Sequence, residues 1–410
     1  MAATASSRSL PARVFAFLTS FGLAITVMFL LLVLTLLGTL AQRDLGIHAA
    51  VSKYFTSWGF VQPMTIWGTE TDSAFGIPLP GGLLLMSLLF VNMTCGALIK
   101  VRKDPKRFGI FIAHLSVMAM LASGLVTHLY KTDGYLDLRV GQTSNEVESY
   151  REWELEIEEI QPGETGGEGR TREALVIPMT KFDDLTGDQS RSFHGAELPF
   201  EIELSGYERN SKIIRTAPSE YAIEGVEKEK EAERNLPGIQ FKVVDPADPS
   251  APLAESFLHG TNPEPFVIEK DGRSFALRLG KKSWVIPFAL TLDRFKHSYH
   301  PGTKTPDEYS SWVTQKVADE KRNIHITMNL PMRESGYVLY QESWGKLGEG
   351  PDAPVYSQFA VSKNPSDQWP KWSCIAATFG LLYHFCLKLF EYLRRQARNR
   401  KRLLERTAAA

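Results

Sequence analysis

The sequence predicts an integral membrane protein with four transmembrane α-helices plus a large β-rich extracytoplasmic domain. Three observations carry this expectation. Four long apolar runs are almost free of charge. Lys and Arg gather at one end of those runs. The stretch between the third and fourth runs alternates apolar with acidic residues, the period-2 mark of half-buried strands. The average composition hides this, because 43% hydrophobic and 23% charged residues over 410 positions would also suit a soluble chain.

The composition also excludes several classes. A net charge of -1 argues against a globally basic nucleic-acid binder, so no nucleic-acid partner is expected. Three cysteines without C-x-x-C exclude a Cys-rich zinc module, a thioredoxin-type dithiol and a disulfide scaffold. Without C-x-x-C-H the chain is not itself a c-type cytochrome. The 23 Phe, 13 Tyr and 8 Trp supply cores and exclude uniform disorder.

The elements follow in order. Residues 1–13 read as a cytoplasmic N-terminus and 14–41 as the first helix, which carries no charge and exceeds the roughly 20 residues a span needs. A cleaved signal peptide is the competing reading, since Arg8 and Arg13 precede the run, but signal cores are only about 7–15 residues long. Residues 42–81 form an extracytoplasmic loop, 82–99 the second helix and 100–107 a basic loop. Residues 108–130 form the third helix, 131–371 the outer domain, 372–393 the fourth helix and 394–410 a basic tail. The loop at 100–107 carries five basic residues, and the stretch from Lys388 to Arg406 carries eight. By the positive-inside rule both are cytoplasmic, as are both termini, in the cell inner membrane. Trp369 and Trp372 fall at the outer interface.

Within the outer domain, Trp153–Ile157 and Phe200–Leu204 read as half-buried strands. Phe266–Lys270, Asp271-Gly272 and Arg273–Leu279 read as a hairpin around a type I′ turn. Asn323–Leu330 and Tyr337–Gln341 read as a second strand pair. Loops are expected at 162–170, 227–234 and 245–252. The Gly-rich 162–170 stretch lacks the Lys-Ser/Thr of a phosphate loop and reads as a turn.

His114 and His384 are the two histidines well inside apolar runs; His128 sits near the outer end of the third helix. Ionisable residues in lipid are costly and tend to face a partner or a pathway. Counting from the cytoplasmic ends places both rings roughly 9–12 Å deep. Two imidazoles at one depth suit a two-sided clamp on an iron porphyrin, or service to separate metal centres. The plainer reading is interhelical hydrogen bonding. Met118, one turn from His114, reads as packing. Cys95, Cys374 and Cys386 read as small buried residues. His297 and His300, three apart before Pro301, read as a surface pair without a third metal ligand. No G-x-S-x-G, H-E-x-x-H or placed G-x-G-x-x-G occurs, and no catalytic residue is assigned.

Several stretches together resemble the ResB family of cytochrome c biogenesis proteins, the System II partners of a CcsA-type protein. They are Leu37-Gly38-Thr39, Asn92 with Cys95 before the basic loop, and His114-Leu115 with Gly124 followed by Gly134–Gly141. Further along come Phe288–Phe295, Asn329-Leu330-Pro331 through Gly336, Tyr340, Gln341 and Ser343, and Val361–Pro365. The likeness covers roughly 14–141 and 284–393, with departures at Ser116 and Arg294. The resemblance implies haem handling in cytochrome c assembly rather than an enzyme. It implies a transient b-type haem with His114 as iron ligand and His384, or a partner's histidine, opposite. It implies a CcsA-type WWD membrane protein, apocytochrome c and the lipid bilayer as partners; Lys100, Arg102 and Lys103 are candidates to meet haem propionates on entry, although the positive-inside rule explains those charges without haem. It implies that Asn329, Pro331 and Gly336 shape a turn. A cofactor-free scaffold, or a thiol-redox component using Cys95 or Cys386, remain the alternatives.

Overall fold

The computed structural model describes residues 9–63, 76–100, 104–160, 175–217, 220–262, 264–303, 305–318, 320–348, 350 and 353–408. The Gly-rich stretch at 162–170, Arg8, Arg102 and Lys103 lie outside the described residues. Two compact units result: residues 1–131 with 364–410, and residues 132–363.

The first unit is helical. It contains α1 (Leu10–Leu18), α2 (Phe21–Leu45), α3 (Ile47–Ala50), the ribbon of β1 (Gly59–Pro63) and β2 (Gly76–Pro80), α4 (Gly82–Met93), α5 (Phe108–Tyr130) and α6 (Trp369–Ala408). Four helical stretches are long and apolar enough to cross a membrane: Phe21–Leu45, Gly82–Ile99, Pro105–Tyr130 and Trp369–Ala408. The first apolar run is broken at Thr19–Ser20, because the Ser20 side chain accepts the Leu23 N–H and caps a new helix there. The second run finishes as a π-helical turn, Thr94–Ile99. The fourth helix starts three residues earlier than expected and runs on through the basic segment to Ala408. That segment is rich in Arg, Lys and Leu, all good helix formers, so nothing stops the helix at residue 393.

The second unit is built from β3 (Thr132–Arg139), β4 (Thr143–Ile160), β5 (Leu175–Pro178), β6 (Ser190–Phe193), β7 (Glu201–Glu208), β8 (Ser211–Ala217), β9 (Glu220–Gly225), β10 (Gly238–Asp245), β11 (Asp248–His259), β12 (Phe266–Lys270), β13 (Arg273–Tyr299), β14 (Pro306–Val317), β15 (Glu320–Thr327), β16 (Met332–Glu334), β17 (Tyr337–Lys346) and β18 (Val355–Lys363). β4 and the 27-residue β13 are the spine of a ten-stranded sheet in the order β15-β14-β13-β4-β3-β18-β17-β16. β12 and β5 pair beside that path. One half of the spine faces a four-stranded sheet, β11-β10-β7-β6, across a core of Leu155, Ile157, Phe200, Ile202, Phe241 and Leu277. The other half curls round a second core of Leu138, Phe288, Leu292, Val313, Leu339 and Phe359.

The expected hairpin is present: Lys270 pairs with Arg273, and Asp271 and Gly272 both have positive φ, at 54° and 75°. Three expectations are corrected. Asn323–Leu330 and Tyr337–Gln341 do not pair together; β15 pairs with β14, and β17 with β16 and β18. The 245–252 stretch is not a loop but a two-residue turn, Pro246–Ala247, followed by the start of β11 at Asp248; the Asp245 carboxylate accepts the Ala247 N–H at 2.9 Å. Glu154 and Glu156 are buried rather than solvent-facing, because the Arg278 side chain on β13 lies over Glu156 and donates to it.

Candidate functional site

His114 lies in the cytoplasmic half expected of α5 and is partly buried. Its Nδ1 is 2.8 Å from the Ile110 carbonyl oxygen, four residues back on the same helix. A carbonyl only accepts, so Nδ1 carries the proton and donates. In the neutral ring this selects the Nδ1–H tautomer, whose Nε2 lone pair is the one that can bind a metal. The bond stays within one helix, so this ring is not tying two helices together.

His384 is arranged differently. α5 and α6 run antiparallel: Ser366 bonds to Ser123 and Thr127 at one end, and the Tyr383 hydroxyl donates to the Pro105 carbonyl at the other. Near that second end the two backbones touch through glycines. A Cβ on Gly109 would meet the Gly380 oxygen at 2.3 Å and the His384 Cβ at 3.0 Å. His384 thus lies opposite Gly109, and its Nδ1 is buried without a hydrogen-bond partner. His114 is five residues beyond Gly109, about 7.5 Å along the axis and about 140° round it. The structure therefore does not bring the two imidazoles into a facing pair. With the helix backbones in contact at Gly109, no porphyrin fits between α5 and α6 at that level. Of the two rings, His114 is the one that would hold a haem iron from this chain, and the α5–α6 contact leaves no room there for a His114–His384 clamp.

The remaining candidates are simpler. Met118 is buried packing, and His128 is exposed. The cysteines are free; Cys95 is half-buried, whereas Cys374 and Cys386 are exposed on α6, against the expectation of burial. His297 stacks on Trp344 with ring centroids 3.9 Å apart, and His300 lies 3.6 Å from Asp307. Among the described residues no cluster of three metal-ligating side chains occurs. Lys100 donates to the Thr19 hydroxyl at 3.2 Å, beside the helix break.

Residue reading missed two polar groups. Asn92 donates to the Leu18 and Ser20 carbonyls at 2.6 and 3.1 Å and so closes the α1–α2 break. Gln341, Ser311 and Ser357 form a buried network across the curled sheet, with Ser311 donating to Gln341 at 2.5 Å. On strands of the same sheet, Tyr135 donates to Glu148 and Tyr150 to Glu342, with Asp137 and Lys281 among them. Desolvation raises the Asp137 carboxyl to about 6, helped by Glu148 and Glu342. Desolvation likewise lowers the Lys281 ammonium. Gly336 sits at positive φ beside Ser335 in the two-residue turn joining β16 to β17.

That turn and the strands round it fall in one matched segment. Residues 260–352 match the model of the ResB-like family. The match agrees with the ResB resemblance carried by the strand motifs, and it implies a role in cytochrome c biogenesis. It spans the segment from β12 to the end of β17 and includes neither His114 nor His384. No curated protein matches the chain.

Proposed function

We propose that this chain is an assembly factor for c-type cytochromes that holds haem as cargo through His114 during delivery to apocytochrome. The single observation carrying this is the Nδ1–H bond from His114 to Ile110, which in the neutral ring leaves Nε2 as the metal-binding atom inside an apolar helix. The cargo supplies the iron that imidazole grips. The Ile110 carbonyl holds the proton at Nδ1, and His114 sits about 140° round α5 from Gly109 at the α5–α6 contact. A CcsA-type WWD membrane protein would supply the second iron ligand, since His384 packs at Gly109 rather than facing His114. The attachment step belongs to the complex, and this chain contributes no catalytic group. Both termini lie in the cytoplasm and the β-rich unit outside the inner membrane, a topology supported by the basic loop and tail.

The test is the haem absorption band of the protein purified in detergent together with its partner. His114→Ala is expected to lower haem per protein at least tenfold, while His384→Ala leaves it near wild type. Equal haem in His114→Ala overturns the reading, and absence of haem from every sample would favour a cofactor-free scaffold.

A further inference from the structure

We propose that α1 is a lipid-surface helix, which lies along the membrane–water boundary with its bulky side chains among the acyl chains and anchors the end of the first span without crossing. The length of α2 leaves α1 over. The 25 residues of α2 rise about 37 Å, more than the roughly 30 Å of a hydrocarbon core. Yet α1 is nearly as apolar as α2, with Arg13 as the one charge in its nine residues. None of the nine is buried, and Leu10, Val14 and Phe17 are 73%, 49% and 61% exposed. A contiguous apolar surface of this kind marks a contact with protein or lipid. The proposal rests on the membrane reading of the four long apolar helices and not on haem carriage.

The break between α1 and α2 is held on every side. Ser20 caps α2 by accepting the Leu23 N–H at 3.1 Å. The Asn92 amide donates to the Leu18 and Ser20 carbonyls that flank the break. The Thr19 hydroxyl accepts from the Lys100 ammonium at 3.2 Å. Lys100 is the first charged residue after the apolar run of the second span, so its ammonium marks the polar boundary of the bilayer at that end. Thr19 therefore sits at the boundary. Carried straight on, α1 would push Val14 about 7 Å and Leu10 about 13 Å past that level, into headgroups and water. Turned along the boundary, the same side chains stay in lipid. α1 also touches the Thr94–Ile99 turn, which ends just before Lys100.

The sequence of α1 is divided to suit that position. At about 100° per residue, Leu10, Pro11, Val14, Phe15, Phe17 and Leu18 share an arc of about 160°. Ala12, Arg13 and Ala16 hold the opposite side. Interfacial helices are divided in this way, with bulky apolar residues towards the acyl chains and a cation with small residues towards the headgroups. Arg13 supplies attraction to anionic phosphate. The helix that follows carries its own exposed apolar stripe, Phe21, Ile25, Met28, Phe29 and Leu32, so one lipid phase covers both elements.

The experiment uses the full chain with Cys95, Cys374 and Cys386 changed to Ser, in nanodiscs of phosphatidylcholine with phosphatidylglycerol. Nitroxide labels are placed singly at Leu10, Ala12, Val14, Ala16 and Phe17, with Leu32 as a reference inside the span. Oxygen, which partitions into lipid, and a water-soluble nickel chelate each relax the label, and the ratio of the two effects reports depth. The ratio should follow the helical period, with Leu10, Val14 and Phe17 about 5–10 Å below the phosphates and Ala12 and Ala16 at their level. Val14→Asp with Phe17→Asp should lower the ratio at Leu10 roughly threefold, whereas Ala12→Asp with Ala16→Asp leaves it unchanged, and neither pair alters Leu32. A depth that rises steadily from Leu10 to Phe17 makes α1 part of the span and overturns the proposal. Nickel access at every α1 position overturns it too, as does exclusion of both reagents at Val14 and Phe17, which means that a protein partner or a second copy covers them. The readout does not use haem, so a sunken α1 stands whether or not haem is bound.

Discussion

Asn92 shows how much a single side chain decides. Its amide closes a helix break whose partners lie 72 and 74 residues away in sequence. Asn92→Leu is expected to cost roughly 1–3 kcal/mol by leaving carbonyls unsatisfied in lipid, read as a lower Tm in detergent. Its place at the end of the second helix was legible as part of a family pattern, but its role was not, because no local pattern names a partner so distant. His114 was legible from the contrast of an ionisable ring with lipid, whereas its tautomer needed the Ile110 carbonyl to be placed. Asp137 has a signed pH dependence. Its folded-state value of about 6 exceeds the ordinary 3.8, so the folded unit binds its proton more tightly. Its stabilising contribution is full below about pH 4 and is lost as pH rises towards 6. Asp137→Asn should flatten the fall in Tm over that window and raise stability at pH 7; an unchanged slope would contradict this.

At the scale of elements, turns were the most legible feature, because their chemistry is local. Asp271-Gly272 supplies both positive-φ positions of a type I′ turn, and Gly272→Val should cost about 1–2 kcal/mol through left-handed backbone strain. Denaturant unfolding would show this as a lower midpoint with unchanged slope. Strand pairing was less legible. The acidic positions of β4 read as solvent-facing because Arg278, which covers Glu156, lies 122 residues away. The α5–α6 contact rests on Gly109 and Gly380, where no side chain fits between the backbones. Gly109→Leu is therefore expected to separate the two helices at this end. Thermal unfolding in detergent should then show a lower Tm than the parent protein, and an unchanged Tm would contradict the close backbone contact.

For the whole molecule, hydropathy identified the four candidate spans and period-2 patterning the β-rich unit, since both signals are averages over many residues. The interleaving of β4 and β13 through two cores was not legible, because strand order depends on non-local pairing. Equal depth of the two histidines was inferred from helix ends, and the extension of α6 together with the Gly109–His384 register undoes it. On the proposed reading, the chain offers one fixed imidazole and a partner offers the second. The most direct measurement is imidazole rescue of the His114→Gly protein co-purified with the CcsA-type partner proposed above. Added imidazole is expected to restore the haem content and the low-spin, six-coordinate absorption spectrum of the parent complex. A His114→Gly complex that shows that spectrum without imidazole would contradict the assignment of His114 as the iron ligand.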